Sequence, residues 1–286
     1  MESHVQAEAL ASQSRRKLII EKRSGLLDLD WAELWGYREL LYTLVEREVK
    51  VRYKQTAIGV SWVLLQPLIT MLIFTVIFGR LAKMPSDGIW YPAFILTALL
   101  PWGYFSQAIT RSGMSLVSSA NLVTKVYFPR ILLPLSMIVT PLIDFALSLL
   151  LLFGLLLYAG IPLTWKLLTL PVFILVAMLT ALGVGLILST ANVKYRDVGH
   201  AVPFLIQIWM FLSPIVYPVS LVPEQYKLLY GLNPMAGVIE GFRWALLGKA
   251  APDLVVMGAS IVVFLGVLIG GLAYFNKMER DFADVI

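Results

Sequence analysis

Residues 131–158 read ILLPLSMIVTPLIDFALSLLLLFGLLLY, a run in which Asp144 is the single charged side chain. A helix needs about 20 mainly apolar residues to cross the roughly 30 Å hydrocarbon core of a bilayer, so this stretch is long enough to cross and tilt. Comparable runs recur on either side of it. They lie at 57–78, interrupted only by Gln66-Pro67, at 92–110, which holds Pro101, and at 167–190, 201–219 and 254–275. The reading is an all-α integral membrane protein with six transmembrane helices. Composition agrees, since 59% of the 286 residues are hydrophobic and only 14% are charged, against about 25% charged in soluble domains.

Basic residues set the expected orientation, because Lys and Arg gather at the cytoplasmic ends of spans. One side carries Arg47, Lys50, Arg52, Lys54, Arg111, Lys125, Arg130, Lys194, Arg196, Lys277 and Arg280. The other carries Arg80, Lys83, Lys166, Lys227, Arg243 and Lys249. The richer side is the cytoplasm, where both termini are expected. This clustering accounts for the net charge of +5 and points to a membrane rather than to nucleic acid. The mostly polar residues before position 57 are unlike a signal peptide, whose apolar region falls in the first 15–30 or so residues. The N-terminus is expected to stay where it was made.

Two segments depart from a simple series of hairpins. Over residues 31–54, Trp31, Leu34, Trp35, Leu41, Tyr42, Val45, Val49 and Tyr53 recur at a helical period, while Glu39, Glu46, Arg47, Lys50 and Lys54 fill the other face. That pattern predicts an amphipathic helix in the cytoplasmic interface, and it is equally compatible with packing on a partner. Over residues 221–248, two apolar stretches broken by Asn233-Pro234 are each too short to cross. Irregular backbone at membrane depth must be buried in protein or line water. The segment therefore reads as a re-entrant helical hairpin on the outer side, between spans five and six, with a lid resting on the outer leaflet as the alternative. The domain plan is a polar tail at 1–30, an interfacial helix at 31–56, a transmembrane domain at 57–276 and a cytoplasmic tail at 277–286.

Reactive chemistry is sparse. There is no cysteine, and His4 and His200 are the only histidines and lie far apart. No Gly-rich phosphate loop, metal-ligand spacing or nucleophile triad is present. Catalytic residues, metal ligands and cofactors are thus expected to be absent from this chain, and active transport would draw its energy from another chain or an ion gradient. An enzyme acting on lipid-linked sugars would need acids or histidines clustered at one membrane face, and the sequence has none. Asp144 is the one acid well inside a span. A lone acid forms no proton relay, so it reads as structural, bonded to a neighbouring helix or facing water.

Residues 118–130, SSANLVTKVYFPR, predict a short cytoplasmic helix stopped before Pro129. Such a helix suits either a handle for a soluble motor or an ordinary connector. Trp102 and Phe105, and Phe204, Gln207, Trp209 and Phe211, set rings and a polar group at helical spacing. They are candidates to line a channel by stacking on sugar faces, and packing against lipid or neighbouring helices explains each ring equally well. Gly266 and Gly270 form a small-xxx-small pattern that permits close helix approach.

Several of these pieces together resemble a known family. Residues 39–62, ELLYTLVEREVKVRYKQTAIGVSW, continuing to Gln66-Pro67, are similar to the opening of the ABC-2 type permeases. The likeness is greatest to those exporting O-antigen, capsule and teichoic acid polymers. Tyr127-Phe-Pro-Arg130 with Leu133-Pro134, Asn192-Val-Lys-Tyr-Arg-Asp197, Ser213-Pro-Ile-Val-Tyr-Pro218, Asn233-Pro-Met235 and Gly241-Phe-Arg-Trp-Ala-Leu-Leu-Gly248 extend the resemblance to the last span.

The resemblance implies a homodimer in the cytoplasmic (inner) membrane with two separate nucleotide-binding ATPase subunits, which carry the ATP and Mg. Arg47 and Lys50 of the interfacial helix, with Asn121, Lys125, Tyr127, Phe128 and Arg130 of the connector, are the implied ATPase contacts. The implied substrate is an undecaprenyl-diphosphate-linked polysaccharide, with Arg47, Arg52 and Lys54 placed to meet the diphosphate. Tyr226, Tyr230, Asn233 and Arg243 belong to the implied outer gate. An ABC-2 drug or lipid exporter is the alternative within the same fold.

Overall fold

A computed structural model describes residues 31–54, 59, 61–248, 251–279 and 282. The 1–30 tail, the end of the 31–56 segment, His4 and Arg280 lie outside the described residues. Those described form helices and turns, with no strand among them.

The chain begins with α1 (Trp31–Gly36) and α2 (Arg38–Tyr53). The helix α3 (Ser61–Phe74) then runs on through a π-helical stretch, Thr75–Leu81. Next come α4 (Tyr91–Ser118), the short α5 (Ala120–Lys125), α6 (Leu132–Val139), α7 (Pro141–Tyr158) and α8 (Leu170–Lys194). The chain ends with α9 (Asp197–Phe211), α10 (Lys227–Gly231), α11 (Pro234–Leu247) and α12 (Leu254–Met278).

Among the described residues, four stretches are long and apolar enough to cross a bilayer: Ser61–Leu81, Leu132–Tyr158, Trp165–Lys194 and Leu254–Met278. The helix α4 has the length, but Gln107, Thr110, Arg111 and Ser112 make its second half polar. It also runs well past the end expected at residue 110, because Ser112, Gly113, Ser115 and Leu116 keep burying a face against the bundle. Only 15 residues make up α9, which ends at Phe211 rather than near 219. The cause is Ser213-Pro214, where proline disfavours helix in the preceding residue. The run at 131–158 breaks at Thr140-Pro141 into α6 and α7.

At the centre stands α4. Every residue from Pro92 to Trp102 is buried, so this half is apolar all round and enclosed by α8, α6, α7 and α11. Against it, α8 crosses α12 closely at Gly183 and Gly271, where a methyl on Gly271 would overlap the Gly183 carbonyl. Gly266 and Gly270, the pair singled out from the sequence, have nothing within 4 Å of an added methyl. At the periphery, Met71 is the one buried residue of α3 and Val202 the one of α9. These two helices leave broad apolar faces uncovered within a single chain.

The helix ends sort into two opposite groups. Leu116 of α4, Leu132 and Leu133 of α6, Val193 of α8 and Phe275 of α12 meet at one end, together with Leu44 of α2. Val219, Ala236 of α11 and Val256 of α12 meet at the other.

Candidate functional site

The α2 end is closed by an apolar plate. Leu44, Val123 of α5, Phe128 and the helix ends just named pack into one cluster, which binds α2 and the 118–130 connector to the bundle. Phe128 is buried in it. Arg130 turns inward, its guanidinium donating to the Glu279 carbonyl at the C-terminus of α12 and lying 6.0 Å from the Phe282 ring. A cation there satisfies a helix-end carbonyl and the negative end of the dipole. Phe128 and Arg130 thus hold the plate together, while Asn121, Lys125 and Tyr127 are exposed beside one another. Arg47 and Lys50 are exposed on α2, paired with Glu48 at 3.0 Å and Glu46 at 2.6 Å. Trp31, Trp35 and Tyr42 point outward. Amphipathic rings of this kind favour a water–lipid boundary.

A cavity of about 680 Å³ runs between α3, α4 and α7. Trp62, Val63, Leu99, Leu100, Phe145 and Met210 give it an apolar wall. Its α2 end is polar. Arg52 reaches in from α2, forms an ion pair with Asp144 of α7 and donates to Gln107 Oε1 of α4 at 2.7 Å. The Tyr53 hydroxyl donates to the other carboxylate oxygen of Asp144. Burial and then that hydrogen bond push the Tyr53 phenol up to about 12, so it stays a protonated donor at neutral pH. Asp144 therefore ties the N-terminal helix to the bundle. Of the three basic residues placed at a lipid diphosphate, Arg52 lines the cavity, whereas Arg47 and Lys54 are exposed.

The candidate channel residues divide in two. Trp102, Phe105 and Trp209 form one cluster, with ring centroids 5.1–6.3 Å apart, and Trp102 and Phe105 are buried. Phe204, Gln207 and Phe211 occupy the open face of α9. Trp102 also lines the cavity wall.

At the opposite end, residues 213–218 are irregular yet enclosed, and neighbouring side chains satisfy their backbone. Arg243, fully buried on α11, donates to the carbonyls of Ile215 at 2.9 Å and Tyr217 at 3.4 Å and pairs with Glu240 at 3.0 Å. Its guanidinium stacks over Phe94 at 3.6 Å, a cation–π contact in an apolar setting. The Tyr91 hydroxyl donates to the Val216 carbonyl at 2.8 Å. This arrangement is the condition for non-helical backbone in an apolar bundle.

Asn233 is the post of the hairpin. Its carbonyl accepts from the Met235 amide at 3.0 Å, capping α11, and from Trp209 Nε1 at 2.9 Å. Its amide donates to Ser213 Oγ at 2.9 Å and to the Leu212 carbonyl at 3.3 Å. Tyr230 donates to Tyr217 Oη at 3.2 Å. Tyr230, Asn233 and Arg243 therefore anchor the hairpin, and Tyr226 is the exposed member of that set. Sequence reasoning missed the Arg52–Asp144–Tyr53 tie and the place of Gln107 and Arg111 beside it. Gln107 and Arg111 are spaced i, i+4 on one helix face, the signal that could have found them.

Comparison with known proteins follows this geometry along the chain. The ABC-2 type transporter family matches residues 39–247, from α2 to the end of α11. The O-antigen export system permease protein RfbA of Myxococcus xanthus is 32% identical over 89% of this chain and 98% of its own length. The protein of the same description from Klebsiella pneumoniae is 28% identical over 87% of this chain and 95% of its own length. The polysialic acid transport protein KpsM of Escherichia coli is 26% identical over 82% of this chain and 91% of its own length. A match from the plate-forming helix α2 through the whole hairpin, with near full-length coverage of these relatives, shows that the chain belongs to the ABC-2 type transporter family.

Proposed function

We propose that this chain is the permease subunit of an ATP-driven exporter that moves a lipid-linked, O-antigen-like polysaccharide across the cytoplasmic membrane. The observation that carries this reading is the near full-length similarity to relatives described as O-antigen export permeases and a polysialic acid transport protein. The working unit is a homodimer with two ATPase subunits. The uncovered apolar faces of α3 and α9 are where a second copy would pack, since in a bilayer such faces meet either lipid or a neighbouring helix. Phe204, Gln207 and Phe211 on the open side of α9 are then set to line a path between subunits.

Six crossings follow if α4 and α9 join the four apolar spans, with the hairpin of α10 and α11 returning to the outer side. The end bearing α2, α5 and the α12 terminus faces the cytoplasm, in keeping with its larger share of Lys and Arg. There Asn121, Lys125, Tyr127, Arg47 and Lys50 form the surface for the ATPase, which supplies ATP and Mg. The plate beneath them transmits its movement to α4, α8 and α12. The rigid posts Arg243 and Asn233 hold the outer hairpin as a gate.

The test is deletion of the partner ATPase in the source organism. Polymer should accumulate inside the cell and vanish from its surface; normal surface polymer refutes the assignment.

A further inference from the structure

The span formed by α6 and α7 contains a soft joint. Pro141 has no amide to donate to the Met137 carbonyl, so the helical ladder loses a bond between the two segments. The Thr140 hydroxyl donates back to the Ser136 carbonyl at 2.8 Å, a contact that bends helices. From α4, the Tyr104 hydroxyl donates to the Ile138 carbonyl at 3.2 Å, just before the joint.

The two sides of the joint pack into different bodies. Leu132 and Leu133 of α6 belong to the plate, whereas Phe145, Leu152 and Leu156 of α7 belong to the main core. Helix α2 is fastened to both. Leu44 seats it in the plate, and α2 packs on α6. Two turns further on, about 12 Å along the helix, Arg52 and Tyr53 hold Asp144, which lies in the first turn of α7. Between these fastenings, Arg47 and Lys50 are exposed. The second fastening is a buried ion pair. Desolvating two charges offsets most of their attraction, so such pairs add little net stability, and their best-attested use is in setting register or switching.

We propose that α2 is a splint across the Pro141 joint, with Arg52 and Tyr53 as positioning residues that grip α7 through Asp144. Movement of α2 by the ATPase then changes the angle between α6 and α7. Pro141, Asp144, Phe145 and Ser148 line the cavity, so the change in angle resets its width. The proposal rests on the ATPase-driven reading above and deepens it by naming the part that carries movement past the plate into the membrane.

The chain has no cysteine, so spin labels report only the positions chosen for them. Val51 of α2 and Leu150 of α7 are exposed and take no part in the tie. The test uses the full permease–ATPase complex carrying Val51→Cys and Leu150→Cys, diluted so that each dimer holds one labelled chain. Double electron–electron resonance reads the distance with and without a non-hydrolysable ATP analogue. The distance should shift by about 2 Å on binding the analogue, the size of helix shifts in switching proteins. Arg52→Gln combined with Asp144→Asn removes both charges together and leaves neither buried and unpaired. That variant should assemble and hydrolyse ATP, but lose the shift and export about fivefold less polymer per ATP, the low end for coupled sites. Pro141→Ala leaves the tie intact, restores an amide at the joint and should at least halve the shift.

No shift in the labelled, otherwise unchanged complex overturns the splint even where surface polymer depends on the ATPase, which leaves the export reading standing. A full shift in the charge-free variant overturns the grip, as does its failure to assemble, which would make the tie structural only. A full shift in Pro141→Ala overturns the joint.

Discussion

Replacing Asn233 by alanine tests whether one side chain holds the hairpin of α10 and α11. The side chain caps α11, and losing an Asn cap costs about 1 kcal/mol. It is also the acceptor for Trp209 Nε1, and a polar group left without its partner in a buried site costs about 1–3 kcal/mol. The bond to Ser213 Oγ goes as well, though that hydroxyl keeps its bond to the Trp209 carbonyl at 2.9 Å. The expected loss is about 3 kcal/mol, which at about 2–4 °C per kcal/mol lowers the melting temperature by about 6–12 °C. Asn233→Asp keeps both acceptor roles and loses only the donors, so it should fall by about half as much. Purified permease in detergent, heated and then run on fluorescence-detected gel filtration, reads both values. An Asn233→Ala protein melting within about 2 °C of wild type refutes the post, since a cap alone is worth that much. Equal losses in the two variants would mean that the donors, not the cap and the Trp209 bond, carry the energy.

Two further outcomes follow from the same geometry. Gly271→Ala should cost about 1–3 kcal/mol and reduce folded yield, because the added methyl overlaps the Gly183 carbonyl, whereas Gly270→Ala should melt like wild type; comparing the two melts checks it. At the hairpin end, the hydrogen bond from Lys227, at 2.8 Å, holds the Asp253 carboxyl below its ordinary value of 3.8. A depressed carboxyl stabilises the fold above that value and loses the contribution as pH falls through its folded pKa. The stability gap between wild type and Asp253→Asn, which keeps a good cap on α12, should therefore be full at pH 7 and shrink below pH 3.8; a gap independent of pH contradicts the pairing.

Much of this molecule is written in local patterns. A run such as 131–158 can be stable only in lipid or in an apolar interior, so its helical, membrane-spanning character follows from composition alone. The helical period of residues 31–54 and the break at Asn233-Pro234 are equally local, and the structure has two helices over the first, parted at Tyr37, and a new helix starting at Pro234. The family resemblance was legible for the same reason, as short motifs at element ends.

Long-range packing decided the rest. No spacing rule brings Arg52 to Asp144 across 92 positions, or Arg243 under the irregular turn at 215–217; those meetings depend on how α2 and α11 lie against α4 and α7. Phe128 and Arg130 looked like surface handles, because a cytoplasmic loop is usually solvated, and only the folded plate shows them turned inward. Likewise Gly271 rather than Gly270 sets the α8–α12 crossing, since which side of α12 faces a neighbour is a rotation about the helix axis that an all-apolar helix does not encode. Where every face of a helix is greasy, sequence determines that it enters the membrane, and only tertiary contacts determine what each side chain does there.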